Sequence, residues 1–102
     1  MAAVINPALG FGAYVIYKKS QLPHLIEWKQ TGKGVYVIGV EPGTNLVCGR
    51  ARERAEGRLR MLQPQETVKY DLELGALISN AEISAFEKQV KSALRGKRTR
   101  VL

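Results

Sequence analysis

The stretch that decides the fold is LPHLIEWKQTGKGVYVIGVEPGTN, residues 22–45. Within it, side chains in 24–30 alternate between two faces in the way that is typical of a half-buried strand. Two glycines in 31–34 predict a short hairpin connection. The apolar run 35–40 predicts a second strand, which ends at Glu41 before a Pro-Gly turn. The stretch therefore predicts an antiparallel hairpin.

Outward from this hairpin, further segments favour β structure. Residues 11–19 are rich in β-branched and aromatic side chains and predict a strand. Residues 58–62 are a candidate for a short strand. Alternation over 67–74 predicts a half-buried antiparallel strand that runs on to about residue 77. The segment 46–57 is ambiguous, because its Arg, Ala and Glu residues suit a helical turn but glycines bracket it closely.

The hydrophobic period changes near residue 79. Apolar residues then recur at helical spacing, Ser79 and Glu82 fit a capping box, and Gly96 is a natural stop. We expect a helix over about Asn80 to Leu94. The predicted fold class is mainly β, an antiparallel β-sandwich with one C-terminal α-helix. The predicted organisation is a single domain, 1–102, with strands over 1–78, the helix over 79–95 and a basic tail over 96–102.

The charge is strongly basic. The formal net charge is +7, and 16 Lys and Arg residues oppose 9 Asp and Glu residues. Five arginines lie between 50 and 60, where Glu53 and Glu56 dilute them, and six further cations lie after residue 87. Aromatic residues are not interleaved with the cations of the tail, as they are in single-strand binders. Two interpretations of these C-terminal cations remain: a tail that contacts phosphates, or a solvated helix end followed by a basic terminus. We do not expect nucleic acid as the partner.

Several classes of site are excluded by composition. One cysteine, Cys48, allows no internal disulfide framework, and it lacks an activating neighbour. One histidine, one cysteine and scattered acids make no recognised metal-ligand spacing, and Gly10 and Gly12 precede a strand instead of opening a helix, as a dinucleotide fingerprint would. We therefore expect no metal and no cofactor. The N-terminal apolar stretch is interrupted and has no basic leader, so we expect a cytoplasmic protein without a membrane span.

Glu41 is the first candidate for chemistry. It ends the most hydrophobic strand, where a carboxylate is costly to bury unless partners satisfy it. Burial would raise its pKa and suit it to act as a general base near neutral pH. The alternative is an exposed glutamate at the end of a strand that takes part in the turn.

His24 and Trp28 share one face of the first hairpin strand. An indole can cover the apolar face of a pyranose while an imidazole bonds a hydroxyl group. The alternative is a structural histidine beside a core tryptophan. Lys29 points to the other face of a regular strand, and it would reach a ligand only where the strand ends or bulges.

The residues of this region resemble a known family. LPHLIEWK at 22–29 and GVYVIGVEPGTN at 34–45 are similar to the C-terminal part of aldose-1-epimerase-like (galactose mutarotase-like) proteins, within an uncharacterised branch. The similarity continues through GRA at 49–51, LxPxE at 62–66 and YxL at 70–72. Gln and Leu replace the glycine and phenylalanine usual in the last two motifs. The match covers most of residues 8–86.

The resemblance implies a fold and an activity. The fold is an antiparallel β-supersandwich, of which this chain would be a C-terminal portion. The activity is proton removal from the C1 hydroxyl of a hexose by a glutamate on a late strand, followed by ring opening and closure on the other face. Glu41 matches that base, whereas the family's acid histidine would lie upstream of Met1. We expect His24, Trp28, Lys29 and Asn45 to bind the sugar, around one concave surface with Glu41.

Three functions are therefore carried forward. The first is a sugar-epimerase-like protein, competent or vestigial, and the second is a non-catalytic carbohydrate-binding module that uses the same face. The third is a small basic nucleic-acid-binding protein. A portion of a sandwich leaves strand edges uncovered, so we also expect a homo-oligomer, with a two-fold dimer as the simplest form.

Overall fold

The computed structural model describes residues 1–97, so the last five residues of the predicted basic tail lie outside the described part. The chain is mainly β, with antiparallel sheets and a C-terminal helix, as the sequence predicts, and it is consistent with a β-sandwich-like fold. The elements are β1 (Ala2–Asn6), β2 (Phe11–Tyr17), β3 (His24–Gln30), β4 (Val37–Gly43), α1 (Arg50–Ala55), β5 (Leu72–Leu77) and α2 (Asn80–Leu94).

The chain divides into two compact units. The first holds Met1–Ile16 and the described residues from Glu73 to Lys97, and the second holds Tyr17–Leu72. In the first unit, β1, β2 and β5 form one sheet in that order. β1 and β2 are antiparallel, with Ala3 opposite Tyr14.

The core of the first unit lies between its sheet and α2. Leu77, Ile83 and Phe86 are buried together. The partly buried side chains that pack against them are Ala3, Ile5, Tyr14, Ile16 and Val90. Gly75 allows the Tyr14 ring to lie across β5, because a Cβ at this glycine would fall 2.5 Å from the ring. The Tyr14 ring then meets Phe86 at a centroid distance of 5.2 Å.

The predicted bounds and cap of α2 are confirmed. The Ser79 hydroxyl accepts a hydrogen bond from the Glu82 N–H at 3.2 Å. The Glu82 carboxylate reaches back to the N–H of Ile78 at 2.7 Å, one residue before the N-cap. The helix ends at Leu94, and Arg95 adopts the left-handed conformation. The left-handed residue that ends the helix is therefore Arg95, one residue before the predicted Gly96.

The second unit contains the β3–β4 hairpin and α1. β4 begins two residues later than predicted, because residues 32–36 form a wider turn in which the Val35 N–H bonds the Gly32 carbonyl at 3.0 Å. The prediction that this strand ends at Glu41 before a Pro-Gly turn is wrong, since β4 continues to Gly43, with Pro42 opposite Leu25 and Gly43 opposite His24. The ambiguous segment 46–57 contains α1, a single six-residue helix. No helix in residues 1–97 is both long enough and apolar enough to cross a membrane.

Two other strand predictions are wrong. Residues 58–62 form no strand, because the N–H groups of Arg58 and Leu59 both bond the Glu53 carbonyl and close the end of α1. The alternating segment 67–74 becomes a strand only from Leu72, since the N–H of Asp71 bonds the Gln21 side chain at 2.9 Å and not a neighbouring strand. The short strand β1 was not predicted.

Candidate functional site

The register of the β3–β4 hairpin sets which side chains share a face. Ile26 lies directly opposite Glu41, and Trp28 lies opposite Gly39. Because facing residues of an antiparallel pair project to the same side, Glu41 shares a face with Ile26. His24 and Trp28, each two residues from Ile26, project to that side as well. We call the surface formed by His24, Ile26, Trp28, Gly39 and Glu41 the hairpin face.

Gly39 leaves room for the Glu41 carboxylate. A Cβ on Gly39 would lie 2.5 Å from Oε1 of Glu41, so this carboxylate folds back along β4 over the glycine. The glycine is the residue opposite Trp28, whose side chain is 53% exposed. Glu41 is exposed, so the structure shows the alternative of an exposed glutamate and not a buried one. The hairpin face therefore presents an exposed indole and an exposed carboxylate at neighbouring positions.

His24 occupies the other end of the hairpin face. It is half-buried and lies opposite Gly43, the last residue of β4. His24 is the weakest of the influences that lower the pKa of Glu53, the strongest being the hydrogen bonds from Arg58. His24 thus lies at the end of the hairpin that leads towards the loop before α1.

Lys29 is separated from the other predicted site residues. It lies opposite Ile38, on the face of the hairpin that does not carry Glu41. Its ammonium group pairs with Glu27, two residues away on the same strand face, with Nζ 3.1 Å from Oε1. The strand is regular through Lys29, without the bulge that would have redirected its side chain.

Asn45 lies in the loop just beyond β4 and is half-buried. Its amide nitrogen donates to the Leu46 carbonyl at 2.9 Å, and its amide oxygen accepts from the Thr44 hydroxyl at 3.2 Å. Two of its hydrogen-bonding capacities are therefore used to shape the loop. The loop follows Gly43, the partner of His24, so Asn45 belongs to the same end of the hairpin.

The sequence did not reveal the role of Glu53, which is 1% exposed. Its Oε1 accepts from Nη2 of Arg58 at 2.8 Å, and its Oε2 accepts from Nε of Arg58 at 2.9 Å. Oε2 also accepts from the N–H of Leu46 at 2.9 Å. These bonds tie the loop after β4 to α1 and to the segment that follows it.

The electrostatics of Glu53 follow from these contacts. The hydrogen bonds from Arg58 lower the pKa of Glu53 to about 2, with help from the Leu46 N–H and against the effect of burial. The carboxylate is therefore a fixed anion and not a proton carrier. One feature of the sequence could have indicated this ion pair: Glu53 lies among the arginines of residues 50–60, and Arg58 follows Gly57, where the chain can turn back towards it.

The basic cluster at 50–60 is largely paired. Arg52 contacts Glu56 at 2.7 Å, and Arg60 contacts Glu66 at 3.5 Å. Arg58 bonds both Glu53 and Glu56. Three of the five arginines thus face carboxylates, which weakens this region as a surface for phosphates. Among residues 1–97, no group of three or more His, Cys, Asp or Glu side chains could hold a metal ion.

The comparisons with known proteins differ in what they find. No curated protein and no solved structure matches the chain significantly. The family described as Domain of unknown function (DUF4432) matches residues 1–76, well over half of the chain and including the whole hairpin and α1. The chain therefore belongs to the DUF4432 family.

Proposed function

We propose that this chain is an aldose-1-epimerase-like protein that binds a hexose on the hairpin face, with Glu41 as the base directed at the anomeric hydroxyl. The observation that carries the proposal is the position of the Glu41 carboxylate over Gly39, the residue opposite the exposed Trp28. The sequence resemblance of 22–45 to that family supports the same assignment.

The chemistry of the hairpin face suits a pyranose. An exposed indole offers a flat apolar surface for the C–H groups of the sugar. A neighbouring carboxylate is an acceptor for one or two hydroxyl groups, and hydrogen bonds to a charged group are stronger than neutral ones. His24, at the far end of the same face, adds a donor or acceptor for another hydroxyl.

The proposal omits Lys29, because its side chain projects from the opposite face and pairs with Glu27. Asn45 stays in the proposed site, because its side-chain amide has a second hydrogen, beside the one donated to Leu46, that can bond a sugar hydroxyl at the edge of the face. The binding residues are then His24, Trp28, Glu41 and Asn45.

Binding and catalysis make different demands. Mutarotation requires Glu41 to accept the proton of the C1 hydroxyl while another group protonates the ring oxygen, so that the ring C–O bond breaks. We assign no residue of this chain to the second role. A carbohydrate-binding module that uses the same face needs only the hydrogen bond between Glu41 and the sugar. Polarimetry distinguishes the two functions, because only an epimerase accelerates mutarotation.

The test is a fluorescence titration, because Trp28 is the only tryptophan in the chain. We expect D-galactose or D-glucose to change the Trp28 emission with saturation in the millimolar range. Glu41→Gln should weaken binding. Glu27→Gln, an equivalent change on the opposite face of the same hairpin, should leave binding unchanged.

Two results would overturn the proposal. One is an emission that stays constant up to molar concentrations of both sugars. The other is an equal loss of affinity in Glu41→Gln and Glu27→Gln, which would show that binding depends on hairpin stability and not on the face that carries Glu41.

A further inference from the structure

Glu41 differs from most acidic residues of the described chain, because its charge is not used within the fold. The ion pairs of residues 1–97 involve other carboxylates, those of Glu27, Glu53, Glu56, Glu66 and Asp71. The carboxylates of Glu73 and Glu82 accept hydrogen bonds from the Tyr14 hydroxyl and from the N–H of Ile78. In the same part of the chain, no ion pair and no hydrogen bond reaches the Glu41 carboxylate, so its negative charge remains for a ligand.

The surroundings of Glu41 on the hairpin face contain no lysine or arginine. Lys29, the cation of β3, projects from the opposite face and pairs with Glu27. Lys33 lies in the connecting turn, beyond the last strand pair of Gln30 and Val37. The chain as a whole has a net charge of +7, but salt at physiological concentration screens exposed charges over about 8 Å. A ligand on the hairpin face therefore meets a local negative charge.

The carboxylate and the indole of this face are close enough to contact one small molecule. Oε1 of Glu41 lies 2.5 Å from the position of a Cβ on Gly39. Facing residues of an antiparallel pair hold their Cβ atoms about 4.5–5.5 Å apart, so this oxygen lies within about 8 Å of the Trp28 Cβ. A single pyranose with its substituents spans that distance.

A protonated amine suits both groups at once. An ammonium group has three donors and no acceptor, whereas a carboxylate has only acceptors. A hydrogen bond between two charged groups is stronger than one from a neutral hydroxyl, and the face of an indole attracts a cation. When the amine is on C2 of a pyranose, it neighbours the hydroxyl on C1. One carboxylate oxygen can then accept from the hydroxyl while the other accepts from the ammonium.

We infer that the hairpin face is selective for an amino sugar, whose C2 ammonium pairs with the Glu41 carboxylate beside the Trp28 indole. The inference rests on the proposed function, because it uses the same face and directs the same C1 hydroxyl at Glu41. It adds the substrate class: a 2-amino-2-deoxyhexose binds more tightly than the neutral hexose of the same configuration.

The experiment is a Trp28 fluorescence titration of the full chain at pH 7 and equal ionic strength, with D-glucosamine and D-glucose as matched probes. We expect the dissociation constant of D-glucosamine to be about fivefold lower, the combined effect of an exposed ion pair and a cation–π contact. N-acetyl-D-glucosamine keeps the nitrogen but not its charge, so it should lose this advantage. Ethanolamine keeps the ammonium but not the ring, and it should bind far more weakly than D-glucosamine.

Two variants locate the preference. Glu41→Gln should bring the dissociation constants of D-glucosamine and D-glucose together, because the amide carries no charge. Glu27→Gln removes a carboxylate from the opposite face of the same strand pair and should keep the preference. The ratio of two dissociation constants within one variant does not depend on how much of that variant is folded.

The possible results separate this inference from the proposed function. Equal binding of D-glucosamine and D-glucose to the wild type would overturn the inference and leave the hexose site in place. A preference that persists in Glu41→Gln, or ethanolamine that binds as tightly as D-glucosamine, would overturn it as well. Binding of D-glucosamine alone, lost in Glu41→Gln, would support the inference and exclude neutral hexoses as ligands. No binding of any probe would overturn both.

Discussion

Trp28 and Glu41 project from one face of the β3–β4 hairpin, and the Glu41 carboxylate lies over Gly39, the residue directly opposite Trp28. An aromatic surface and an anionic acceptor thus lie side by side on one face of a two-stranded sheet. The arrangement depends on a glycine, because any side chain at 39 would occupy the space of the carboxylate.

Gly39→Ala tests this dependence. The added Cβ would lie 2.5 Å from Oε1 of Glu41, so the carboxylate has to rotate away. We expect sugar affinity to fall about tenfold, the cost of one hydrogen bond to a charged group. Gly32→Ala is the control, since its Cβ meets only the end of the Gln30 side chain at 3.3 Å. If both variants bind the sugar equally well in the fluorescence titration, the position of the Glu41 carboxylate over residue 39 does not contribute to binding.

Glu41→Gln tests the base. If the chain accelerates mutarotation, the rate should fall about a hundredfold or more in this variant, as expected for the loss of a general base. The sugar dissociation constant should rise by a smaller factor, because the amide oxygen still accepts a hydrogen bond, although a weaker one than the carboxylate accepts. Polarimetry of freshly dissolved α-D-glucose measures the rate. Equal rates for the wild type and Glu41→Gln would remove Glu41 from the chemistry.

The Glu53–Arg58 pair predicts how stability depends on pH. The folded-state pKa of Glu53 is about 2, below its ordinary value of 4.5, so the unfolded chain binds more protons between these values. The stability that Glu53 contributes is fully present above about pH 5 and is lost as the pH falls towards 2. Urea midpoints of the wild type should drop over this range.

Glu53→Gln provides the comparison for that titration. It should be less stable than the wild type at pH 7, because Arg58 loses its carboxylate partner, and the difference should shrink as the pH falls. The surface variant Glu27→Gln should show a much smaller change. A difference between the wild type and Glu53→Gln that stays constant from pH 7 to pH 2 would contradict the assignment.

The cap of α2 gives a quantitative prediction. Ser79→Ala removes the acceptor of the Glu82 N–H and should lower the free energy of unfolding by about 1 kcal/mol. Ser84→Ala, in the exposed interior of α2, should leave the stability unchanged or raise it by a few tenths of a kcal/mol. Chemical denaturation of both variants measures the difference, and equal stabilities would show that the cap contributes nothing.

The elements predicted well are those set by local periodicity. α2 has a cap, a 3.6-residue hydrophobic period and a stop, all within its own segment, and its bounds Asn80–Leu94 agree with the structure. The shared face of His24 and Trp28 follows from the two-residue period of a strand. The same period placed Lys29 on the other face, and only the resemblance had grouped it with the site.

The features that escaped prediction depend on partners distant from them. Apolar and polar residues do alternate before Leu72, but the Asp71 N–H donates to the side chain of Gln21, 50 residues away, and not to a neighbouring strand. From the sequence, Glu53 was expected only to offset part of the positive charge of the neighbouring arginines. Its burial arises because Arg58 and the Leu46 N–H converge on it, and no local pattern contains that convergence. β1 is short and weakly patterned, and it becomes a strand by pairing with β2.

The most direct test of the proposed sugar site is chemical-shift mapping of the ¹⁵N-labelled chain during a titration with D-galactose and then D-glucose. We expect the largest shifts on the Trp28 indole N–H and on the backbone amides of His24, Gly39 and Glu41, with the amides of α2 unmoved. Shifts centred on α2 or on the arginines of α1, or no shift at any residue of the hairpin face at molar sugar, would contradict the proposed site.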